Sequence, residues 1–156
     1  MSFMEKVAAA SNRFYDRMRS GKADDAATAE PTGSVDDLAG HKYCVLITYR
    51  RNGDPIPSPL WFGVHDGRVY FHTGADSMKV RRIRNNPEVR IAPSTQRGRP
   101  KGAPFVGKAR VMDPSEDEDA NRWIQANYGL LRRMYEGAIG DSVDSVHVEV
   151  TPTSPT

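Results

Sequence analysis

Short runs of β-branched and aromatic residues, separated by glycine-containing turns, most constrain what this chain can fold into. The run at 42–50 is dominated by Val, Ile, Tyr and Thr and is typical of a strand. Asn52-Gly53 and Asp66-Gly67 follow successive runs, and such dipeptides favour tight hairpin turns. Strands are predicted over 42–50, 57–64, 69–73, 89–93, 105–112 and 145–150. Short strands joined mostly by hairpins predict a mainly β fold, a small antiparallel barrel with flanking helices.

Two segments carry helix signals inside this pattern. Residues 78–85 fit a short helix capped by Asp76 or Ser77 and ended by Pro87. Asp113-Pro114 predicts a cap followed by proline at the first helical position, with acidic residues in the first turn. The helix that follows Pro114 is predicted to be succeeded by a further short helix after Gly129.

The N-terminal 20 residues form a separate amphipathic pattern. Phe3, Val7, Phe14 and Met18 recur at helical spacing. We expect this helix to lie on its own domain or on a partner subunit. The alternative is a helix on a membrane surface, with its basic residues facing the lipid headgroups.

The remaining boundaries follow from composition. Residues 21–37 contain almost no large apolar side chains, which predicts a flexible linker. The barrel domain is predicted over 38–151, followed by a short tail over 152–156.

Composition excludes several classes of protein. A chain of 156 residues with 38% hydrophobic residues fits one domain. It contains no apolar run of membrane-spanning length and no signal-peptide pattern, so a soluble, cytoplasmic protein is expected. The single cysteine, Cys44, excludes a disulfide framework and is predicted to be buried. The four histidines show no metal-binding spacing, so no metal site is predicted. The sequence contains no Gly-x-Ser-x-Gly elbow and no Gly-rich P-loop, and no catalytic residue is named.

Charge is distributed unevenly. Between Lys79 and Arg110 there are ten lysines and arginines but one acid, Glu88, whereas 113–119 carries five acids and no base. A local positive field of this kind indicates an anionic partner.

Residues 73–82 have the composition of a phosphate site. The chain is predicted to leave a strand at Thr73, turn at Gly74 and enter a helix after Ser77. Two hydroxyls, backbone N–H groups at the helix start and the Lys79 ammonium would then converge. Arg82 lies one turn beyond Lys79 and can face the same anion. The alternative is an ordinary capped helix with a solvated basic face.

These motifs resemble a known family. The pattern Thr-Gly-x-x-Ser-x-Lys at 73–79, followed by a basic helix and Asn-Pro, is similar to the flavin-phosphate segment of the pyridoxamine-phosphate-oxidase-like split barrels. Residues 53–62, 91–94 and 107–110, with Arg97-Gly98, are similar to the branch that uses the deazaflavin coenzyme F420. The resemblance covers about 40–151. The chain lacks the C-terminal Arg-x-His motif of pyridoxamine-phosphate oxidase itself, so oxidation of vitamin B6 is not expected.

The resemblance implies an FMN-binding split barrel that forms a homodimer, with the cofactor at the subunit interface. The implied cofactor is F420, and FMN is the alternative. The positions that match the phosphate contacts are Thr73, Ser77, Lys79 and Arg82. The positions whose backbone would lie along the ring are Ser58, Pro59, Leu60 and Trp61. By charge, the loop residues that could meet the oligoglutamate tail of F420 are Arg97, Arg99 and Lys101. That loop could instead be merely solvated.

Several functions remain open from the sequence. The leading hypothesis is an F420-dependent oxidoreductase that passes a hydride to a small conjugated acceptor. An FMN-binding oxidoreductase and a non-catalytic cofactor carrier are the alternatives on the same fold. A nucleic-acid-binding barrel is disfavoured, because the basic segment lacks interleaved aromatic stacking residues. Trp61 could line a planar ligand site, whereas Trp123 is expected in the core.

Overall fold

Seven antiparallel strands form one curled sheet. The computed structural model describes residues 23–128 and 144–154. The strands are β1 (Tyr43–Tyr49), β2 (Pro55–Leu60), β3 (Gly63–His65), β4 (Arg68–Gly74), β5 (Glu88–Ser94), β6 (Phe105–Val111) and β7 (Ser145–Pro152). Their order across the sheet is β2-β1-β5-β6-β7-β4-β3, and every neighbouring pair is antiparallel. The predicted mainly β fold is confirmed.

A joint of two residues brings the two edges of the sheet together. β2 and β3 lie at opposite edges but are separated in the chain only by Trp61-Phe62. The strand predicted over 57–64 is therefore two strands, the first paired with β1 and the second with β4. Gly63 permits the close approach that follows, because a Cβ there would lie 2.4 Å from the carbonyl oxygen of Trp123. A continuous apolar run in the sequence could not reveal this change of partner.

In the part of the chain that is described, three α-helices accompany the sheet: α1 (Asp25–Thr28), α2 (Met78–Asn85) and α3 (Asp117–Tyr128). A 3-10 helix also covers Val35–Leu38. Ser77 caps α2 as predicted, its Oγ accepting a hydrogen bond from the Val80 N–H at 3.3 Å. At the start of α3 the predicted cap at Asp113 is present, but the first turn, Pro114–Glu116, is a 3-10 turn rather than α-helix. Short polar caps and proline thus set both helix starts.

Apolar clusters on both faces of the sheet hold the helices in place. The inner face of the sheet carries the largest cluster, in which Leu46, Phe71 and Val148 are fully buried and Ile83 joins from α2. On the outer face, Ile124 of α3 belongs to a cluster with Tyr70 of β4 and with Met112.

The segment predicted as a flexible linker packs against the sheet over part of its length, which corrects that prediction. Ala23 and Ala26 are fully buried against Val45 on the outer face of β1. The Arg90 guanidinium donates to the carbonyl of Ala29 at 2.8 Å. Alanine suffices because a small side chain lets a short helix approach the sheet closely, and the sequence offers no large apolar residue that would signal such packing.

Two predicted helices lie outside the described residues, and the prediction for Cys44 can be compared with the structure. The predicted helix over 1–20 and the short helix after Gly129 lie outside the described residues. In the part of the chain that is described, none of the helices has the length and apolar character needed to cross a membrane. Cys44 is fully buried as predicted, and this burial raises the pKa of its thiol.

Candidate functional site

The start of α2 brings two hydroxyl groups together. Thr73, at the end of β4, donates from Oγ1 to the Oγ of Ser77 at 3.3 Å. The Ser77 Oγ also accepts from the Val80 N–H, so its own proton is left to be donated to another acceptor. Thr73 is half-buried and Ser77 is buried. This corner of the fold therefore offers the Ser77 hydroxyl as a donor beside the positive end of a helix.

The cations of α2 divide between two sides of the helix. Lys79 and Arg82 are half-buried, whereas Arg81 and Arg84 are exposed. Arg82 turns toward the sheet, where its Nε donates to the Oγ1 of Thr48 at 2.6 Å. Lys79 and Arg82, separated by three residues, lie on neighbouring parts of the helix surface.

The contact with Thr48 links α2 to the edge of the sheet. In the β1–β2 pair, Thr48 lies opposite Ile56, and Ser58 lies opposite Leu46. Because side chains alternate along a strand, Thr48, Leu46 and Ser58 share the inner face. Ser58 is thus a diagonal neighbour of Thr48 on the same face. One predicted phosphate residue, Arg82, therefore lies near the predicted ring segment.

Within the ring segment, alternate residues face opposite sides. Leu60 belongs to the inner core cluster, so only its backbone is available to a ligand. Pro57 and Pro59 face the outer side, opposite Ile47 and Val45. β2 tolerates its prolines because it is an edge strand, as the sequence predicted.

Trp61 is held at the joint between β2 and β3 by two tyrosines. Its ring stacks on that of Tyr128, with centroids 4.7 Å apart, and meets the edge of Tyr43 at 6.4 Å. The Tyr128 hydroxyl accepts from the Phe62 N–H at 2.7 Å and donates to the Lys42 carbonyl. Burial raises the pKa of Tyr128, so the hydroxyl stays protonated and able to donate. The joint and the indole ring therefore have a fixed geometry.

Trp123 is half-buried at the edge of the outer cluster. Its ring stacks on His65 at 4.1 Å and lies 4.6 Å from Tyr70, at the border of the outer cluster. Trp123 also lines a cavity together with Phe62, Val64 and Asn127, so it lies at the border of the core and not in its interior, where it was expected.

The basic loop is a hydrogen-bonded hairpin between β5 and β6. The Thr95 N–H donates to the Arg99 carbonyl at 3.0 Å, and the Lys101 N–H donates to the Pro93 carbonyl at 2.7 Å. The side chains of Arg97, Arg99 and Lys101 are exposed.

Gly98 sets this hairpin beside β2. Its φ of +90° favours glycine, and a Cβ there would lie 3.3 Å from the Cβ of Ala23 and 3.6 Å from that of Pro59. The hairpin therefore lies next to the outer side of β2, while Arg82 approaches the same edge from the inner side.

Several of the ten cations in the basic segment have structural partners, among them Arg82, which donates to Thr48. Arg90 donates to the carbonyl of Ala29, just after α1. Arg110 forms two 3.0 Å hydrogen bonds with the Glu116 carboxylate. Arg110 also contacts Glu149 at 3.3 Å. The hydrogen bonds from Arg110 are the main reason that the pKa of Glu116 lies below its ordinary value. The positive field that remains is concentrated on α2 and the hairpin.

His147 is a hydrogen-bonded strand residue, as expected for the histidines. It is 4% exposed, with Nδ1 2.9 Å from an Asp117 oxygen and Nε2 3.3 Å from the Asn121 side-chain oxygen. The His72 ring lies beside it, 4.9 Å away. Across residues 23–128 and 144–154, no three His, Cys, Asp or Glu side chains form a group that could hold a metal ion.

Sequence reasoning missed Thr48, and it did not foresee the hydrogen bonds by which Tyr128 holds the joint. A threonine within a run of apolar residues was a signal for a buried hydroxyl that needs a partner. The partner, Arg82, lies 34 residues away in sequence. Only the folded chain identifies it.

Comparison with known families gives a match over most of the chain. The family model for pyridoxamine 5'-phosphate oxidase matches residues 34–152, which include all seven strands. Among proteins with curated descriptions, none matches the sequence.

Solved structures share the fold at low sequence identity. The conserved hypothetical protein Rv2991 from Mycobacterium tuberculosis is 18% identical, with a TM-score of 0.58 over 76% of this chain and 78% of that chain. HutZ, the heme storage protein from Vibrio cholerae, is 14% identical, with a TM-score of 0.59 over 77% and 87%. An F420 reductase is 20% identical, with a TM-score of 0.50 over 80% and 97%. At these identities the likeness concerns the fold.

Proposed function

Because the chain belongs to the pyridoxamine 5'-phosphate oxidase family, we propose that it is an oxidoreductase that binds F420 and passes a hydride to a small conjugated acceptor. The observation that carries the proposal is the group of donors at the start of α2. The Thr73 and Ser77 hydroxyls lie 3.3 Å apart there, beside the half-buried Lys79 and Arg82. Hydroxyls, backbone N–H groups and fixed cations are the donors that bind a phosphate.

The donor set fits a phosphate better than a heme iron. The hydroxyls of Thr73 and Ser77 and the cations of α2 are donors suited to a phosphate, whereas heme iron takes an axial His, Cys, Met or Tyr ligand. The buried His147 has both ring nitrogens within hydrogen-bonding distance of side-chain oxygens. The heme storage protein HutZ shares the fold, but the donors of this site favour a phosphorylated cofactor.

The residues of this chain would bind and orient the cofactor. When bound, the deazaflavin would supply the hydride chemistry itself. The start of α2 would hold the phosphate, and the backbone of 58–61 would lie along the ring. Tyr128 keeps Trp61 and the joint in place, so this edge is rigid before any ligand binds. We assign no acid or base.

The basic hairpin favours F420 over FMN. F420 carries an oligoglutamate tail with several carboxylates, which FMN lacks. Arg97, Arg99 and Lys101 are exposed on a hairpin whose Gly98 lies against Pro59 of β2. The tail is joined to the cofactor through the phosphate, so a tail that runs from the start of α2 past the edge strand β2 would meet these cations. The F420 reductase of the same fold is consistent with this choice.

We further propose that the protein is a homodimer with the cofactor at the subunit interface. The ring segment lies on an edge strand, which within the described residues pairs only with β1. A large planar ligand placed there would be covered from one side, whereas ligand sites usually bury most of the ligand surface. A second subunit would complete the cover.

Titration of the purified protein with F420 and with FMN, followed by tryptophan fluorescence, tests the proposal. We expect F420 to bind and to bind more tightly than FMN. Tighter binding of FMN would favour the FMN-dependent oxidoreductase, and binding of neither would refute a cofactor site of this kind. Reduced F420 that binds but is not oxidised by any of a panel of conjugated acceptors would favour a carrier.

A further inference from the structure

A buried hydroxyl on β1 faces the cations of α2. Thr48 is fully buried, and the four residues before it on the strand are also buried. Valine would fill the same volume, so packing alone does not require threonine. A buried hydroxyl costs free energy unless it is hydrogen-bonded. The partner of Thr48 is the Arg82 Nε, 2.6 Å away.

This hydrogen bond fixes the orientation of a long side chain. The guanidinium group is planar and carries its N–H donors in a rigid fork. When Nε is bound to an acceptor on a buried strand, the strand determines the plane of the whole group. Arg82 would otherwise lose more rotational freedom on binding a ligand. Its preset orientation therefore lowers the cost of binding.

We infer that Thr48 is a positioning residue of the phosphate site. It acts through Arg82, whose guanidinium it holds on the side of α2 that also carries Lys79. The inference rests on the proposed function, because it takes the phosphate of the cofactor as the anion. Thr48 lies on the same face as Ser58, so the hydrogen bond also holds Arg82 near the ring segment.

Two matched variants test the inference. Thr48→Val keeps the shape of the side chain and removes the acceptor, whereas Thr48→Ser keeps the hydroxyl. FMN and riboflavin, and F420 and its phosphate-free deazaflavin, form ligand pairs that differ in the phosphate. We expect Thr48→Val to weaken binding of FMN and F420 by roughly tenfold, the scale of one charge-assisted hydrogen bond. Binding of the phosphate-free ligands should not change, and Thr48→Ser should bind like the parent protein.

A double-mutant cycle separates positioning from simple packing. If Thr48 acts through Arg82, then Thr48→Val should have almost no further effect on FMN binding in an Arg82→Gln background. Losses that multiply in the double variant would overturn the inference. So would an equal loss of FMN and riboflavin affinity in Thr48→Val, because packing damage does not distinguish the two ligands.

Inorganic phosphate keeps the test informative if none of the four ligands binds the parent protein. That result would refute the proposed function, and thermal unfolding with and without phosphate would then decide the role of Thr48. We expect phosphate to raise the unfolding temperature of the parent and of Thr48→Ser but not of Thr48→Val. An equal rise in all three proteins, or a rise in none, would overturn the inference.

Discussion

At the residue scale, Lys79 should make the largest single contribution to phosphate binding. It is half-buried beside the Ser77 cap, where its ammonium can reach an anion at the helix start. Lys79→Ala removes a charge-assisted hydrogen bond and should cost about 1.5–3 kcal/mol of F420 affinity, which is roughly tenfold or more. Fluorescence titration measures the loss.

The exposed Arg81 on the same helix is the matched control. Arg81→Ala changes the net charge equally but should alter affinity much less. Unchanged F420 binding by Lys79→Ala would remove Lys79 from the site.

Tyr128 should contribute to stability through its hydroxyl. It accepts from the Phe62 N–H at 2.7 Å in a buried position, so Tyr128→Phe leaves that N–H without its partner. We expect a loss of about 1–3 kcal/mol in the free energy of unfolding. Urea denaturation measures it, with Tyr43→Phe, which alters the other ring against Trp61, as the comparison. A loss no larger than that of Tyr43→Phe would contradict this role.

At the scale of elements, the basic hairpin should distinguish cofactors by their tails. Replacing Arg97, Arg99 and Lys101 together by glutamine should weaken F420 binding severalfold and leave a tail-less deazaflavin phosphate almost unaffected. Each exposed pairing is worth only ~0.2–1 kcal/mol. The effect should fade with added salt, since the Debye length is ~10 Å at 0.1 M.

Titrations of both ligands at low and high ionic strength measure this difference. Equal losses for the tailed and tail-less ligands would mean that the hairpin contacts the phosphate or supports folding, and not that it binds the tail. No loss for either ligand would leave it as a solvated loop.

The start of α3 should be sensitive to acid. Hydrogen bonds from Arg110, and then from the Asp113 N–H, lower the pKa of Glu116 below its ordinary value of 4.5. A carboxyl whose pKa is lower in the folded state stabilises the protein above the unfolded value, and this stabilisation is lost as the pH falls through the folded value. Glu116→Gln should therefore be less stable than the parent at pH 7, with the difference shrinking below about pH 4.5.

Thermal unfolding between pH 3 and pH 7 checks this prediction. A difference between Glu116→Gln and the parent that stays constant over the whole range would mean that the charge of Glu116 does not matter. The exposed Glu118, which is placed in the first turn of the same helix, provides a control through Glu118→Gln.

At the scale of the whole molecule, the edge position of the ring segment predicts the assembly. Light scattering of the cofactor-bound protein should give twice the 17.3 kDa mass of one chain. A mass of one chain with cofactor still bound would contradict the dimer. Dilution that dissociates the dimer should also release the cofactor, because each subunit alone would cover one side of it.

The sequence by itself determined most of the strands, the starts of two helices and many of the local contacts. Strand positions follow from β-branched runs and turns, and both main helix starts follow from Ser77, Asp113 and Pro114. These signals act over a few residues, through side-chain alternation, fixed proline φ and capping hydrogen bonds. The hydroxyls and cations at 73–82 therefore form a recognisable group in the sequence alone.

Only the tertiary structure decided which distant groups meet. It divided the strand at 57–64 between two edges, packed Ala23 and Ala26 on β1, and joined Thr48 to Arg82. None of these contacts leaves a periodic pattern in the sequence, because each depends on how the sheet curls and which surfaces it brings together. Local propensity determines which elements form, whereas burial and the need of buried polar groups for partners determine how those elements meet.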